Sequence, residues 1–207
     1  MLNNVLPVTD LRSLARRKMN PLEFKSIPSG SYSEASSADG WQVQREGKTA
    51  TRICRPKVRS LLLEDRVWSL LYRLGFDYLS GEGGAQLIQD SKAENSPYNQ
   101  IDVVGLDPEV ALAVECKSAE QPRRFSEFQK DLAKHVLTRQ RFGASVSNQF
   151  PLPHKRVALT VLFTWDLILT ETDEERAKNE NVVLLNEKDL HYYEQLAAHL
   201  GPAGDAR

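Results

Sequence analysis

The chain has 207 residues, 41% of them apolar and 27% charged, with a formal net charge of −1. That length suits one α/β domain with a sizeable core; no apolar run approaches the 18 residues of a membrane span, and the amino terminus lacks a charged-then-apolar signal pattern. Two cysteines, Cys54 and Cys116, are too few for a disulfide framework and the four histidines are scattered without zinc spacing, so a reduced cytoplasmic protein is expected.

Residues 1–30 mix Pro, Ser and basic residues with little periodicity and read as a flexible arm, with a short amphipathic helix from Leu11 to Lys18. Residues 31–201 read as the folded domain and 202–207 as a tail. Ser31 to Asp39 suggests a short helix. Trp41–Arg45 and Thr51–Arg55 read as two strands around Glu46-Gly47-Lys48. The basic Arg52, Arg55, Lys57 and Arg59 then lead into a strong helical pattern over Leu61–Gly75. Leu63, Val67, Trp68, Leu70, Leu71 and Leu74 form one apolar arc, Asp65, Arg66, Ser69 and Arg73 fall on the other side, and Gly75 is the C-cap. Glu64 breaks the pattern. It projects into the apolar arc between Trp68 and Leu71, where a carboxylate is costly unless it is paired or holds a metal.

Ser80 to Gly84 is glycine-rich but lacks a phosphate-cradling pattern, so it reads as a turn. Ala85–Gln89 is a strand, and Asp90–Gln100 a polar loop. Next come two apolar runs, 101–106 and 110–116, flanking Asp107-Pro108-Glu109, which reads as a hairpin. With Pro108-Glu109 as the loop, Asp102 lies across from Glu115. Side chains alternate along a strand, so Glu115 and Lys117 share the face of Asp102. Cys116 then points to the core side.

Beyond the hairpin, Ser118–Arg124 reads as a basic loop and Phe125–Phe142 as a helix capped near Ser126. Arg156–Thr164 is a strand buried on both faces, Thr172–Glu180 a charged helix and Val182–Leu185 a short strand. A final helix, Glu187–Leu200, is capped by Asn186. Strand-helix-strand-helix implies parallel crossovers joined to the hairpin, hence an α/β fold with a mixed β-sheet flanked by helices.

Two carboxylates about 5 Å apart on one sheet face repel unless a cation joins them. A hard divalent ion takes oxygen ligands, and a neighbouring lysine can orient water or offset charge on a phosphate. Asp102, Glu115 and the Cys116 carbonyl are therefore the candidate ligands for Mg2+ (or Mn2+). Lys117 is the candidate catalytic group that positions the nucleophilic water or offsets charge on the phosphate, with Glu64 as a further catalytic carboxylate holding an outer-shell water or a second ion.

Together, Glu64, Asp102, Glu115 and Lys117 resemble the PD-(D/E)XK nuclease superfamily, of the Mrr-like restriction endonuclease branch, although Ile101 stands where that family usually has Pro. A narrower resemblance rests on Gly40-Trp41, Arg55-Pro56-Lys57, Glu64-Asp65-Arg66-Val67-Trp68, Leu74-Gly75-Phe76, Gln100-Ile101-Asp102, Glu115-Cys116-Lys117 and Leu185–Tyr193. These are similar to the nuclease-like front half of DGQHR-domain (DndB-related) proteins. The Asp-Gly-Gln-His-Arg sequence itself is absent, and the chain stops where such proteins continue. The resemblance implies a restriction-endonuclease-like core and DNA phosphodiester hydrolysis. It also implies a setting in DNA modification, restriction or phage defence, with partner proteins of such a system and a homodimer as further expectations.

Charge is uneven. Residues 1–60 and 121–156 each carry an excess of six positive charges, while Glu171–Glu180 is acidic. Basic segments beside a metal site suit a phosphodiester substrate. Arg123, Arg124, Lys130, Lys134, Gln100 and Gln129 are the candidate DNA contacts. The alternatives are a catalytically silent DNA-binding or regulatory module and, less supported, a sugar or nucleotide enzyme. Nothing in the sequence carries a cofactor fingerprint for the last.

Overall fold

A computed structural model describes residues 1–33, 37–88, 98–154 and 156–200. Its amino-terminal elements are β1 (Leu2–Asn3), β2 (Val5–Pro7), α1 (Arg12–Lys18), β3 (Leu22–Pro28), β4 (Gln42–Glu46) and β5 (Ala50–Pro56). Helix α2 (Arg59–Arg73) follows, then β6 (Tyr78–Ser80), β7 (Ala85–Ile88), β8 (Tyr98–Ile101), β9 (Val103–Leu106) and β10 (Val110–Arg124). The chain continues through α3 (Phe128–Gln149), β11 (Val157–Ile168), α4 (Glu171–Asn179), β12 (Val182–Asn186) and α5 (Glu187–Leu200).

The fold is mixed α/β. The main sheet runs β12-β11-β10-β9-β6-β2. Its β10, β11 and β12 are parallel, joined through α3 and α4, while β9, β6 and β2 add antiparallel neighbours. The hairpin therefore lies in the sheet interior. Alternation along β10 and β9 feeds two cores. Val114, Cys116 and Val103 pack with Leu63, Val67 and Trp68 of α2 and Leu190 of α5. Ala111, Ala113 and Val104 pack with Phe142 and Val146 of α3 and with Leu2, Leu87 and Ile101 of the small β1-β7-β8 sheet. Gly75, with φ +85°, ends α2 in the left-handed conformation that favours glycine. Asn186 Oδ1 accepts from the Lys188 and Asp189 N–H groups, capping α5.

Residues 1–28 correct the expectation of a loose arm. Strand β2 pairs with β6 at the sheet edge, and Leu2, Leu11, Leu14 and Ala15 are buried. Leu2 also exchanges two hydrogen bonds with the Gln149 amide, donating from its N–H and accepting at its carbonyl. Leu2 lies in β1, while Leu11, Leu14 and Ala15 belong to α1 and its N-cap, so each element is too short to carry a sustained period. Asp65 corrects the polar-face assignment of α2. It is 3% exposed, bonded at 2.6 Å to Lys18 and 2.7 Å to Lys57, because α1 covers that side of the helix.

Three boundaries also differ. Ser118–Arg124 continues β10 rather than forming a loop, since after an irregularity Arg123 and Arg124 regain pairing with Leu167 and Ile168. Helix α3 begins at Phe128 after Glu127, with no side-chain cap from Ser126, and runs to Gln149. Gln100 lies in β8, paired with Gln86, rather than in a loop. The expected loop 90–97 and tail 202–207 lie outside the described residues, as does part of the helix expected over 31–39.

Candidate active site

The hairpin register sets the site. Ala111 pairs with Leu106 and Val114 with Val103, and Asp102, in the bend just before β9, comes beside Glu115 and Cys116, accepting from the Cys116 N–H. Asp107 closes the turn as an Asx-type acceptor, its Oδ1 taking the N–H groups of Glu109 (2.7 Å) and Val110 (2.6 Å). That side-chain lock replaces the backbone twist that a Pro-initiated loop supplies poorly, and no bulge intervenes between Leu106 and Val103.

Around this register six side chains converge: Asp102, Glu115, Lys117, Glu64, Asp131 and Lys134. The Cys116 N–H donates to Asp102 Oδ2 at 2.8 Å. Lys117 Nζ lies 3.1 Å from Glu115 Oε1. Glu64 reaches the cluster from α2, half-buried, close enough to feel the charges of Glu115 and Lys117. Helix α3 adds two groups: Asp131, whose Oδ2 is 3.9 Å from Lys117 Nζ, and Lys134, whose Nζ is 3.6 Å from Glu115 Oε1.

Electrostatics follow from this crowding. Burial pushes the Asp102 carboxyl up to about 7. The negative charges of Glu115 and Glu64 add to this, while the Cys116 N–H and Lys117 oppose it. Burial also raises Glu64 and pushes the Cys116 thiol well up, so that it is a neutral core group rather than a thiolate ligand. Burial acts to lower Lys117, but its pairing with Glu115 and the charges of Asp131 and Asp102 outweigh this and raise it. His135, one turn along α3 and 5% exposed, is lowered by burial and is neutral at pH 7.

Three predicted site groups thus meet on the hairpin with Glu64 beside them. Among the described residues, no three His, Cys, Asp or Glu side chains form a ready metal-binding group. The expected donor set is different in kind: two carboxylates and the Cys116 carbonyl. Its fit rests on an observation. One oxygen of each carboxylate is engaged by the protein, Asp102 Oδ2 and Glu115 Oε1. The other two carry none of these contacts. Mg2+ ordinarily keeps several waters, so two carboxylates suffice for it.

The remaining candidates are dispersed. Arg123 and Arg124 are exposed on the far end of β10, and Lys130 is exposed on α3 away from the carboxylates. Gln129 lines a separate hollow with Leu132, Val136 and Arg176, between α3 and α4. Gln100 donates to the Gly83 carbonyl at 3.0 Å. Sequence reasoning missed Asp131 and His135. The available signal was the one that exposed Glu64: both polar residues fall on the α3 stripe of Phe128, Leu132 and Phe142, which is buried.

No family model matches this chain, and no curated protein matches it. Several solved structures match this chain at low identity. Protein VC1899 from Vibrio cholerae is 16% identical with a TM-score of 0.45, over 93% of this chain and 49% of that one. Can2 from Sulfobacillus thermosulfidooxidans, solved in complex with cyclic tetra-adenylate, is 16% identical with a TM-score of 0.43, over 93% of this chain and 52% of its own. The protein of unknown function AF1548 is 18% identical with a TM-score of 0.38, over 62% of this chain and 63% of its own. The chain thus spans about half the length of the first two.

Proposed function

We propose that this chain is a divalent-cation-dependent DNA endonuclease domain of the PD-(D/E)XK type. The observation that carries the reading is the meeting of Asp102, Glu115 and Lys117 at one end of the hairpin: the Cys116 N–H holds Asp102 at 2.8 Å and Lys117 Nζ lies 3.1 Å from Glu115. Asp102, Glu115 and the Cys116 carbonyl would hold Mg2+ or Mn2+. The ion would supply Lewis-acid polarisation of the phosphodiester and an acidified water.

The chain's own groups do the rest. Lys117, held between Glu115 and Asp131, orients the attacking water and offsets charge developing on the phosphate oxygens. Lys134 adds a second positive charge on the same side. Glu64 accepts a hydrogen bond from an outer water. Asp102, whose carboxyl stays raised to about 7 with Lys117 already beside it, would be held ionised by a bound cation. A role in restriction, defence or DNA modification, with a dimer presenting two such sites for double-strand cleavage, extends this reading from the family resemblance.

The test is nicking of supercoiled plasmid. Wild-type protein with Mg2+ or Mn2+ should nick it. Chelator, Asp102→Ala and Lys117→Ala should each abolish nicking, and equal activity in those variants rejects the proposal. One observation favours a second reading, a silent DNA-binding module: Lys117 and Lys134 both lie on Glu115, as internal counter-ions would. Calorimetry separates the two, because the module binds DNA without taking up Mg2+ or Mn2+.

A further inference from the structure

Strands β3, β5 and β4 form a separate three-stranded antiparallel sheet, in the order β3-β5-β4. It leads directly into α2 and so is fused to the helix that carries Glu64. Its two faces differ in chemistry. Register places Val43, Ile53 and Lys25 in one row and Glu46, Thr51 and Ile27 in the next, on a face where Ile53 and Thr51 are buried. The opposite face holds the rows Gln42, Cys54 and Phe24, then Arg45, Arg52 and Ser26. Among the described residues, those rows contain no carboxylate.

An irregularity between Val43 and Arg45 creates this arrangement. Val43 pairs with Ile53, yet Arg45, two residues on, pairs with the adjacent Arg52. Gln44 is the extra residue of a bulge. Without it Gln44 would oppose Arg52 and Arg45 would turn to the buried face. Bulges re-aim side chains in this way. The result is two arginines directly opposed across neighbouring strands, an arrangement that destabilises a sheet. Both are exposed, and neither has a carboxylate partner among the described residues. The Arg52 guanidinium lies over the Phe24 ring, 4.5 Å from its centroid. A stacked guanidinium presents a flat cationic surface, suited to an unpaired base and its phosphate.

We propose that this face of the β3-β5-β4 sheet is a second nucleic-acid contact, gripping a single strand through Arg45, Arg52 and Phe24 while the hairpin site acts elsewhere on the substrate. The choice of nucleic acid rests on the nuclease reading, whereas the anionic character of the ligand rests on the opposed arginines alone. The full chain, in EDTA to prevent cleavage, is titrated against fluorescein-labelled 20-nucleotide single strands of DNA and of RNA, with anisotropy as the readout. Arg45→Glu/Arg52→Glu should weaken binding at least tenfold on one or both strands and reduce the slope of log K against log salt by about 1.4, two phosphates at about 0.7 each. The milder Arg45→Gln/Arg52→Gln should reproduce the direction with an unchanged circular dichroism spectrum. Phe24→Leu should weaken binding with the salt slope retained. Unchanged affinity and slope in both arginine pairs overturns the proposal, as does polyglutamate competing as well as the oligonucleotide. Arginine-dependent binding by a wild-type protein that cuts nothing with Mg2+ leaves this inference standing and removes the nuclease reading. Cleavage with arginine-independent binding does the reverse.

Discussion

The Cys116 N–H donates to Asp102 Oδ2 at 2.8 Å, so a main-chain donor on β10 holds a half-buried carboxylate at the start of β9. That single donor offsets only part of the cost of burial beside Glu115, and the Asp102 carboxyl stays near 7. In the folded protein Asp102 therefore binds a proton over a pH range where the unfolded chain has released it, from about 4 to about 7. Stability contributed by the protonated form is lost as pH rises through that window. Metal-free protein should lose stability between pH 5 and 8. Asp102→Asn should flatten that loss and be more stable than wild type at pH 8 by on the order of 2 kcal/mol. Urea melts in chelator at pH 5, 6.5 and 8 measure this; a wild-type curve that rises across the window contradicts it.

Asp131 has Lys117 for its neighbour, at 3.9 Å, in a partly exposed setting. A pair of this kind contributes about 0–1 kcal/mol to stability. Asp131→Ala should leave the urea midpoint nearly unmoved while lowering the plasmid-nicking rate about tenfold, because Lys117 loses the partner that sets its direction. Asp131→Glu should recover part of the rate. Rates equal to wild type in Asp131→Ala would remove this residue from the site.

Asp65 binds Lys18 and Lys57 with all three side chains largely buried. Lys57 also donates to the carbonyls of Arg17 and Lys18, knitting the end of α1 to the start of α2. Replacing the carboxylate leaves two buried ammonium groups without their counter-ion. Asp65→Asn should cost about 3 kcal/mol, with the urea midpoint falling and the slope unchanged.

Gly84 has φ +80°, and a Cβ there would meet the Ile101 carbonyl at 2.4 Å and the Asp102 carbonyl at 3.0 Å. Backbone cannot swing aside as a side chain can. Gly84→Ala should cost at least about 1–3 kcal/mol and displace the backbone that carries Asp102. Thermal melting checks the first effect, and nicking assays at a temperature where the variant is folded check the second.

How much of this was legible in the residues differs from element to element. The helix read over 61–75, found at Arg59–Arg73, with Glu64 on its apolar arc, the hairpin around Pro108-Glu109 and the parallel strand-helix-strand ending all follow from periodicity and turn chemistry, because each depends on neighbours a few residues away. The facing of Asp102 and Glu115 belongs here too, since a two-residue loop fixes register by arithmetic. Residues 1–28 were misread because their apolar residues dock singly onto distant partners, such as Leu2 against Leu87 and Gln149. Asp65 was misread because a polar helix face becomes interior once another segment brings its own cations.

The amino-acid sequence by itself determined the local alternation that aims two carboxylates and a lysine to one side of a hairpin. Only the tertiary structure decided what else joins them, Asp131 and Lys134 brought in by α3, and it alone set the Arg45–Arg52 pair across a bulge in the separate sheet. The physical reason is range. Side-chain direction along a strand is set by the pleat of the residues themselves, whereas the partners of a charge are set by which helix the sheet packs beneath, and that depends on burial summed over the whole chain.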